Sequence, residues 1–113
     1  MEYTPEETAD RIAKLEALAE MEPDDALTHF LLGQERLRGG RFVQAAEALA
    51  RCVELDPEYT AAYRFLGDAY RKAQDPASAR AIYEKGVATA ERTGDLQAGR
   101  EMAALLKKLT APE

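Results

Sequence analysis

Glu20-Met21-Glu22-Pro23-Asp24 and Glu54-Leu55-Asp56-Pro57-Glu58 share one order of residue types (acidic, apolar, acidic, proline, acidic) at a separation of 34 residues. The same offset relates Leu32-Gly33 to Leu66-Gly67, Ala45 to Ala79, and the large apolar residues Leu15, Leu49 and Tyr83. Leu18, Cys52 and Gly86 continue the register, as do Ala19, Val53 and Val87. A fixed period of this length marks stacked supersecondary units, none of which can bury its apolar face alone. The chain is built from a repeated unit.

Inside each unit the apolar positions follow a helical spacing. Tyr63, Leu66, Gly67 and Tyr70 recur at steps of three, four and seven, and Ala79, Tyr83, Gly86 and Val87 repeat the pattern after a break. Gly39-Gly40 interrupts the first unit, and Asp75-Pro76 interrupts the second at the corresponding place, so each unit reads as two antiparallel helices and a turn. The spacing predicts six helices, near 5–21, 25–38, 42–55, 59–72, 76–92 and 96–109. Thr4 with Glu7 three positions later predicts a capping box. Asp75 is placed to cap the fifth helix with Pro76 as its first residue, and Asp24, Asp56 and Asp95 are further cap candidates. Around Thr93-Gly94-Asp95 the register weakens, because Glu91 stands where a proline is expected and Gly99 follows Gly67 by 32 residues. The last helix is therefore expected to be a cap, whose stripe of Ala98, Met102, Leu105, Leu106 and Leu109 seals the preceding pair.

Gly33 and Gly67 lie inside predicted helices, where glycine costs about 1 kcal/mol relative to alanine. Close helix packing offsets that cost: without a Cβ, the first helix of a unit approaches the second at Ala45 and Ala79, and Leu49 and Tyr83 fill the space around the contact.

The 113 residues permit one domain with a modest core, spanning 1–113. With 46% apolar and 32% charged residues the chain is too apolar for disorder. A net charge of −6 argues against nucleic acid, and the absence of an 18-residue apolar run argues against a membrane span. The charge is lopsided: residues 1–58 carry 6 basic and 14 acidic side chains, residues 59–113 carry 9 and 7. A single cysteine excludes an internal disulfide, and a cytoplasmic location is expected.

The 34-residue period, Leu32-Gly33 with Ala45 and Pro57, and Tyr63-x2-Leu66-Gly67-x2-Tyr70 with Ala79 and Tyr83 resemble the tetratricopeptide repeat (TPR) family. The first unit departs from the pattern, with His29 at the large aromatic position and Arg36 at the next tyrosine-like one. The resemblance covers about residues 11–90 and implies an all-α fold, a right-handed superhelix of antiparallel helix pairs with terminal capping helices. On that reading 5–21 is a partial N-terminal repeat or capping helix, 25–57 and 59–92 are full repeats, and 96–109 is a C-terminal cap.

The resemblance also implies a function, recognition of a peptide or helix in a concave groove lined by the first helix of each pair. By register the inward set is Leu27, Phe30, Gln34 and Leu37, followed by Ala61, Arg64, Asp68 and Arg71. Phe30 and Leu37 are expected to anchor apolar side chains, Gln34 to bond peptide backbone, and Arg64 or Arg71 to pair with acidic groups, with Asp68 among them. The expected partner is a protein or peptide of acidic, amphipathic character. Two alternatives stand beside this. Arg64, Asp68 and Arg71 have the spacing to support one another along the helix, and Phe30 has the option of packing against the N-terminal helix. Some family members clamp a C-terminal carboxylate through lysine and asparagine at the inward positions; here Asp68 would repel such a group.

Catalysis is not indicated. His29 is the only histidine and occupies a packing position, and Cys52 falls in the buried register of the second helix, so neither a metal site nor a nucleophilic triad is expected. Glu6-Glu7 and Asp24-Asp25 sit at helix starts, where capping explains them. No phosphate-loop pattern follows Gly39-Gly40, and no cofactor is expected. The alternative to a binding module is a structural self-assembly module, forming a homo-oligomer such as a homodimer through its end or outer-helix surface, with the apolar end near Met102, Leu105 and Leu109 as the first candidate.

Overall fold

The chain enters its first helix through the capping box. The Thr4 hydroxyl accepts from the Glu7 amide at 3.1 Å, the Thr4 amide donates to the Glu7 carboxylate at 3.4 Å, and Pro5 follows as the first helical residue. The computed structural model describes residues 3–110. Among them it contains α1 (Pro5–Met21), α2 (Ala26–Arg38), α3 (Phe42–Leu55), α4 (Thr60–Lys72), α5 (Pro76–Thr93) and α6 (Leu96–Thr110), with no strand.

The caps are partly where the sequence puts them. Asp75 accepts the Ser78 amide at 3.2 Å and Asp95 the Ala98 amide at 3.3 Å. Helix α2, however, is capped by Asp25, which takes the Leu27 amide at 3.3 Å and the Thr28 hydroxyl at 2.7 Å, while Asp24 is drawn to Arg51 at 3.1 Å. Asp56 caps no helix start: it ends α3, accepts the Glu58 amide at 3.1 Å, and leaves α4 to begin after Tyr59 without a side-chain cap. A cap must sit immediately before the first helical residue to reach the orphan amides, and Asp56 is too early in the chain to do so.

The turn between paired helices is the same in both units. Gly40 adopts φ 77° and Gln74, 34 residues on, adopts φ 65°. The Arg41 amide donates to the Arg36 carbonyl at 2.8 Å, and the Asp75 amide to the Tyr70 carbonyl at 2.9 Å. The repeated geometry thus forces a left-handed backbone even where glutamine replaces glycine, at a cost of about 1–2 kcal/mol.

Helix pairs close over the glycines. A Cβ on Gly33 would lie 2.8 Å from Leu49 Cδ2, and one on Gly67 would lie 2.6 Å from Tyr83 Cδ1, so both helices rely on the missing side chain. Ala45 and Ala79 are wholly buried beside these contacts. The core runs in three linked clusters: Ile12, Leu32 and Ala48 first, then Phe30, Leu49, Cys52 and Leu66, then Tyr63, Tyr83 and Met102. Burial, with Asp56 nearby, pushes the Cys52 thiol up to about 11, so at neutral pH it is a protonated packing group.

His29 does the work of the tyrosine it replaces. Its Nε2 lies 2.8 Å from the Pro23 carbonyl, and one period later the Tyr63 hydroxyl donates to the Pro57 carbonyl at 2.7 Å. Because a carbonyl only accepts, Nε2 carries the proton. The lone histidine therefore pins the loop before its own helix.

Met102 is completely buried between Gly86 and Tyr63, and Leu105 and Leu109 pack half-buried against the same cluster. This corrects the expectation of a sticky end built from those three residues: their apolar surface closes the chain's own core. Exposed large apolar side chains lie elsewhere, including Leu18 and Met21 on α1 and Leu27 on α2.

Contacts between pairs set the curvature. Helix α2 touches α4 and α4 touches α6, whereas among the described residues no close backbone approach joins α1 to α3 or α3 to α5. The even-numbered helices are therefore the inner side of the bend.

Candidate functional site

The residues expected to line the inner face have surroundings that differ from one to the next. Leu27 is half exposed near the start of α2, and Gln34 is partly exposed about two turns further on. Phe30 is only 9% exposed, because its ring lies 4.8 Å from that of Tyr59 and 5.5 Å, edge-on, from that of Phe65. It is the wedge between α2 and α4, packing against neither the N-terminal helix nor open solvent. Leu37 is half-buried against the same cluster.

On α4, Ala61 is exposed and the three charged residues form one network. Arg64 meets Glu101 of α6 at 2.5 Å and stands 3.9 Å from Asp68, while Arg71 stands 3.7 Å from the other oxygen of Asp68. The Tyr83 hydroxyl also donates to Asp68. Two guanidinium groups are thus matched by two carboxylates. The mutual support legible from the spacing is present, and Glu101, 37 residues from Arg64, is the member that spacing did not reveal. Burial and the bond to Asp68 push the Tyr83 phenol up to about 12. An acidic ligand at Arg64 has to compete with Glu101 for the same nitrogens.

A second group of charges was not anticipated. Glu35 is buried, its side chain 6% exposed, and one of its oxygens takes Arg11 of α1 at 3.0 Å and Arg38 at 2.8 Å. Glu35 is one period before Ala69, and Arg11 one period before Ala45, so the departure from small residues at both positions was the signal that could have exposed the pair. Arg36, the other departure, bridges α2 to the pair of helices around it, reaching the Gln44 carbonyl at 3.0 Å and Glu16 at 3.1 Å.

The described residues offer no group of three or more histidine, cysteine or carboxylate side chains placed to hold a metal, and none of their helices is long and apolar enough to cross a membrane.

Comparison with known proteins bears on this architecture. The family model described as tetratricopeptide repeat matches residues 30–95. A TPR repeat-containing protein of Pseudomonas aeruginosa is 46% identical over 98 residues, which is 87% of this chain and 93% of the relative. A Bordetella parapertussis protein of known solution structure is 30% identical, with a TM-score of 0.73 over 96% of this chain and 89% of its own. PcrH, solved in complex with the chaperone-binding region of PopD, superposes with a TM-score of 0.86 over 92% of this chain and 79% of its own, at 18% identity. Such domains are as a class non-catalytic interaction modules. With its period, its paired helices and these likenesses in agreement, the chain belongs to the tetratricopeptide repeat family.

Proposed function

We propose that the chain is a non-catalytic adaptor that holds a helical or extended segment of another protein against the inner face of α2, α4 and α6. The observation that supports this reading is the contact pattern: α2 approaches α4 and α4 approaches α6, the side to which the repeat register assigns Leu27, Gln34, Ala61, Arg64, Asp68 and Arg71. Apolar and charged groups alternate there, which suits an amphipathic segment. PcrH is a precedent for a stack of this shape holding part of another protein. Within the site, Phe30 and Leu37 shape the floor, while Leu27 and Gln34 are the α2 groups open to a ligand. The organisation that goes with this reading is a single domain of two full repeats between a partial repeat and a cap.

The test is capture of the partner by crosslinking, followed by titration of the recovered segment. Leu27→Glu with Gln34→Ala is expected to weaken binding by about tenfold or more, with an unchanged unfolding midpoint, since both residues sit at the surface. Val43→Glu on α3, at a residue 64% exposed on the other side of the pair, is the control. Loss of binding in the control alone moves the site to the outer surface.

A second reading, self-association, has its own observation. Met21 is 79% exposed, Leu27 51% and Leu18 38%, an apolar group around the α1–α2 turn. If this is the functional surface, sedimentation shows a concentration-dependent dimer that Met21→Glu dissociates. A monomer across the accessible range removes the reading.

A further inference from the structure

Between the start of α1 and the end of α2 lies a cavity of about 930 Å³, walled by Tyr3, Leu31, Arg11, Glu35, Arg38 and Arg41 among others. Its charge runs against its setting, because residues 1–58 carry 14 acidic side chains and only 6 basic ones. Among the described residues Glu35 is the one carboxylate in the wall, against three arginines.

That imbalance is built rather than incidental. A buried glutamate replaces the alanine that the repeat places at this position, and burial of a carboxylate is costly unless it is paired. One arginine would neutralise it. Two are present, both on the same oxygen, at 3.0 and 2.8 Å, and each keeps nearly half of its side chain exposed. The Tyr3 ring lies 4.7 Å from the Arg11 guanidinium and 5.4 Å from that of Arg38, which restrains the pair further. Arg41 adds a third cation that has no ion-pair partner among the described residues. The wall therefore has a surplus of two positive charges held beside the apolar surfaces of Tyr3 and Leu31. The α4 arginines, by contrast, are matched one for one by Asp68 and Glu101.

We propose that this cavity, which shares Gln34 with the inner face, is an anchor for side-chain carboxylates of an acidic, leucine-bearing segment of a partner protein, held by Arg11, Arg38 and Arg41. The assignment rests on the segment-binding reading above and adds the place where the acidic part of the segment is held. Fixed guanidinium groups favour carboxylate through charge-assisted hydrogen bonds, and the adjoining apolar walls favour an aliphatic neighbour.

The test uses the full chain, isotope-labelled, and a blocked tetrapeptide in which two leucines flank two glutamates, acetylated and amidated so that only side-chain carboxylates are present. Saturable shifts are expected at the arginine Nε–H signals of Arg11, Arg38 and Arg41 and at the Gly39 and Gly40 amides. Arg41→Gln, at an exposed residue, and Arg38→Gln combined with it are expected to raise the dissociation constant, the double variant by about tenfold or more. The corresponding glutamine tetrapeptide is expected to give no saturable shift. The assignment is overturned if the shifts fall on Arg64 and Arg71, if the glutamine peptide binds equally well, if only an unamidated peptide binds, or if no signal saturates. Failure of the inner-face reading is seen separately, in a captured segment indifferent to Leu27→Glu and Gln34→Ala, so the two outcomes are distinguishable.

Discussion

Tyr83→Ala is expected to remove about 3–5 kcal/mol of stability in urea denaturation, the range for emptying a fully buried aromatic site. Tyr83 is wholly buried, its ring covers Gly67 where any Cβ would collide, and its hydroxyl donates to Asp68. Neither neighbour can collapse into the space: Gly67 is helix backbone, and Asp68 is held by Arg64 and Arg71. Tyr83→Phe keeps the packing and loses only the hydrogen bond, for about 1 kcal/mol. The two variants also differ in alkali. The phenol is raised from 10.0 to about 12 in the folded chain, so the folded state holds this proton more tightly than the unfolded one. The resulting stabilisation is complete below pH 10 and is lost as the pH rises to about 12. Tyr83→Phe is expected to flatten that part of the stability profile, and an unchanged alkaline profile would show that the phenol does not contribute to it. If Tyr83→Ala costs no more than Tyr83→Phe, the ring is not what closes the second pair.

Met102→Ala is the second large effect, expected at about 2–5 kcal/mol. Met102 is the only side chain of α6 that is completely buried among those described, and it lies against Gly86 and Tyr63. It joins the last helix to the core as a plug joins a socket, so its loss uncovers the α5 surface that α6 seals. Gly86→Ala attacks the same junction from the other side. Its Cβ would lie 2.8 Å from Tyr63 Cβ and 2.9 Å from Met102 Cε; the methionine end can swing away, but the tyrosine Cβ is tied to the backbone. About 1–3 kcal/mol of overpacking is expected. The double variant should cost less than the sum of the single ones, because Met102→Ala removes one of the two collisions. Strict additivity in a double-mutant cycle would mean that Gly86 and Met102 are not the joint.

The helices and their pairing were legible in the sequence because both follow from local, repeated chemistry. Period, small residues and turn punctuation recur every 34 positions, and the observed helix ends fall within a residue of those expected at 5–21, 42–55 and 76–92. The same reasoning located the close contacts at Gly33 and Gly67, since glycine inside a helix has few other justifications. Cap choice was less legible. Asp24 and Asp25 are chemically equivalent in the sequence, and the one that caps is decided by where the chain leaves the extended conformation.

Side-chain direction across helices belonged to the tertiary structure alone. Phe30 has the same local spacing whether it points at solvent or at Tyr59 and Phe65, and only the angle between α2 and α4 selects the second. Arg64 shows its i,i+4 relation to Asp68 in the sequence, but its bond to Glu101 spans 37 residues and depends on how the capping helix sits. Arg11 and Glu35, 24 residues apart, read separately as two surface charges; together they replace alanines and bury a carboxylate. Helical periodicity constrains which residues share a face, whereas the pairing of charges between faces is set by distances of a few ångströms that no spacing encodes.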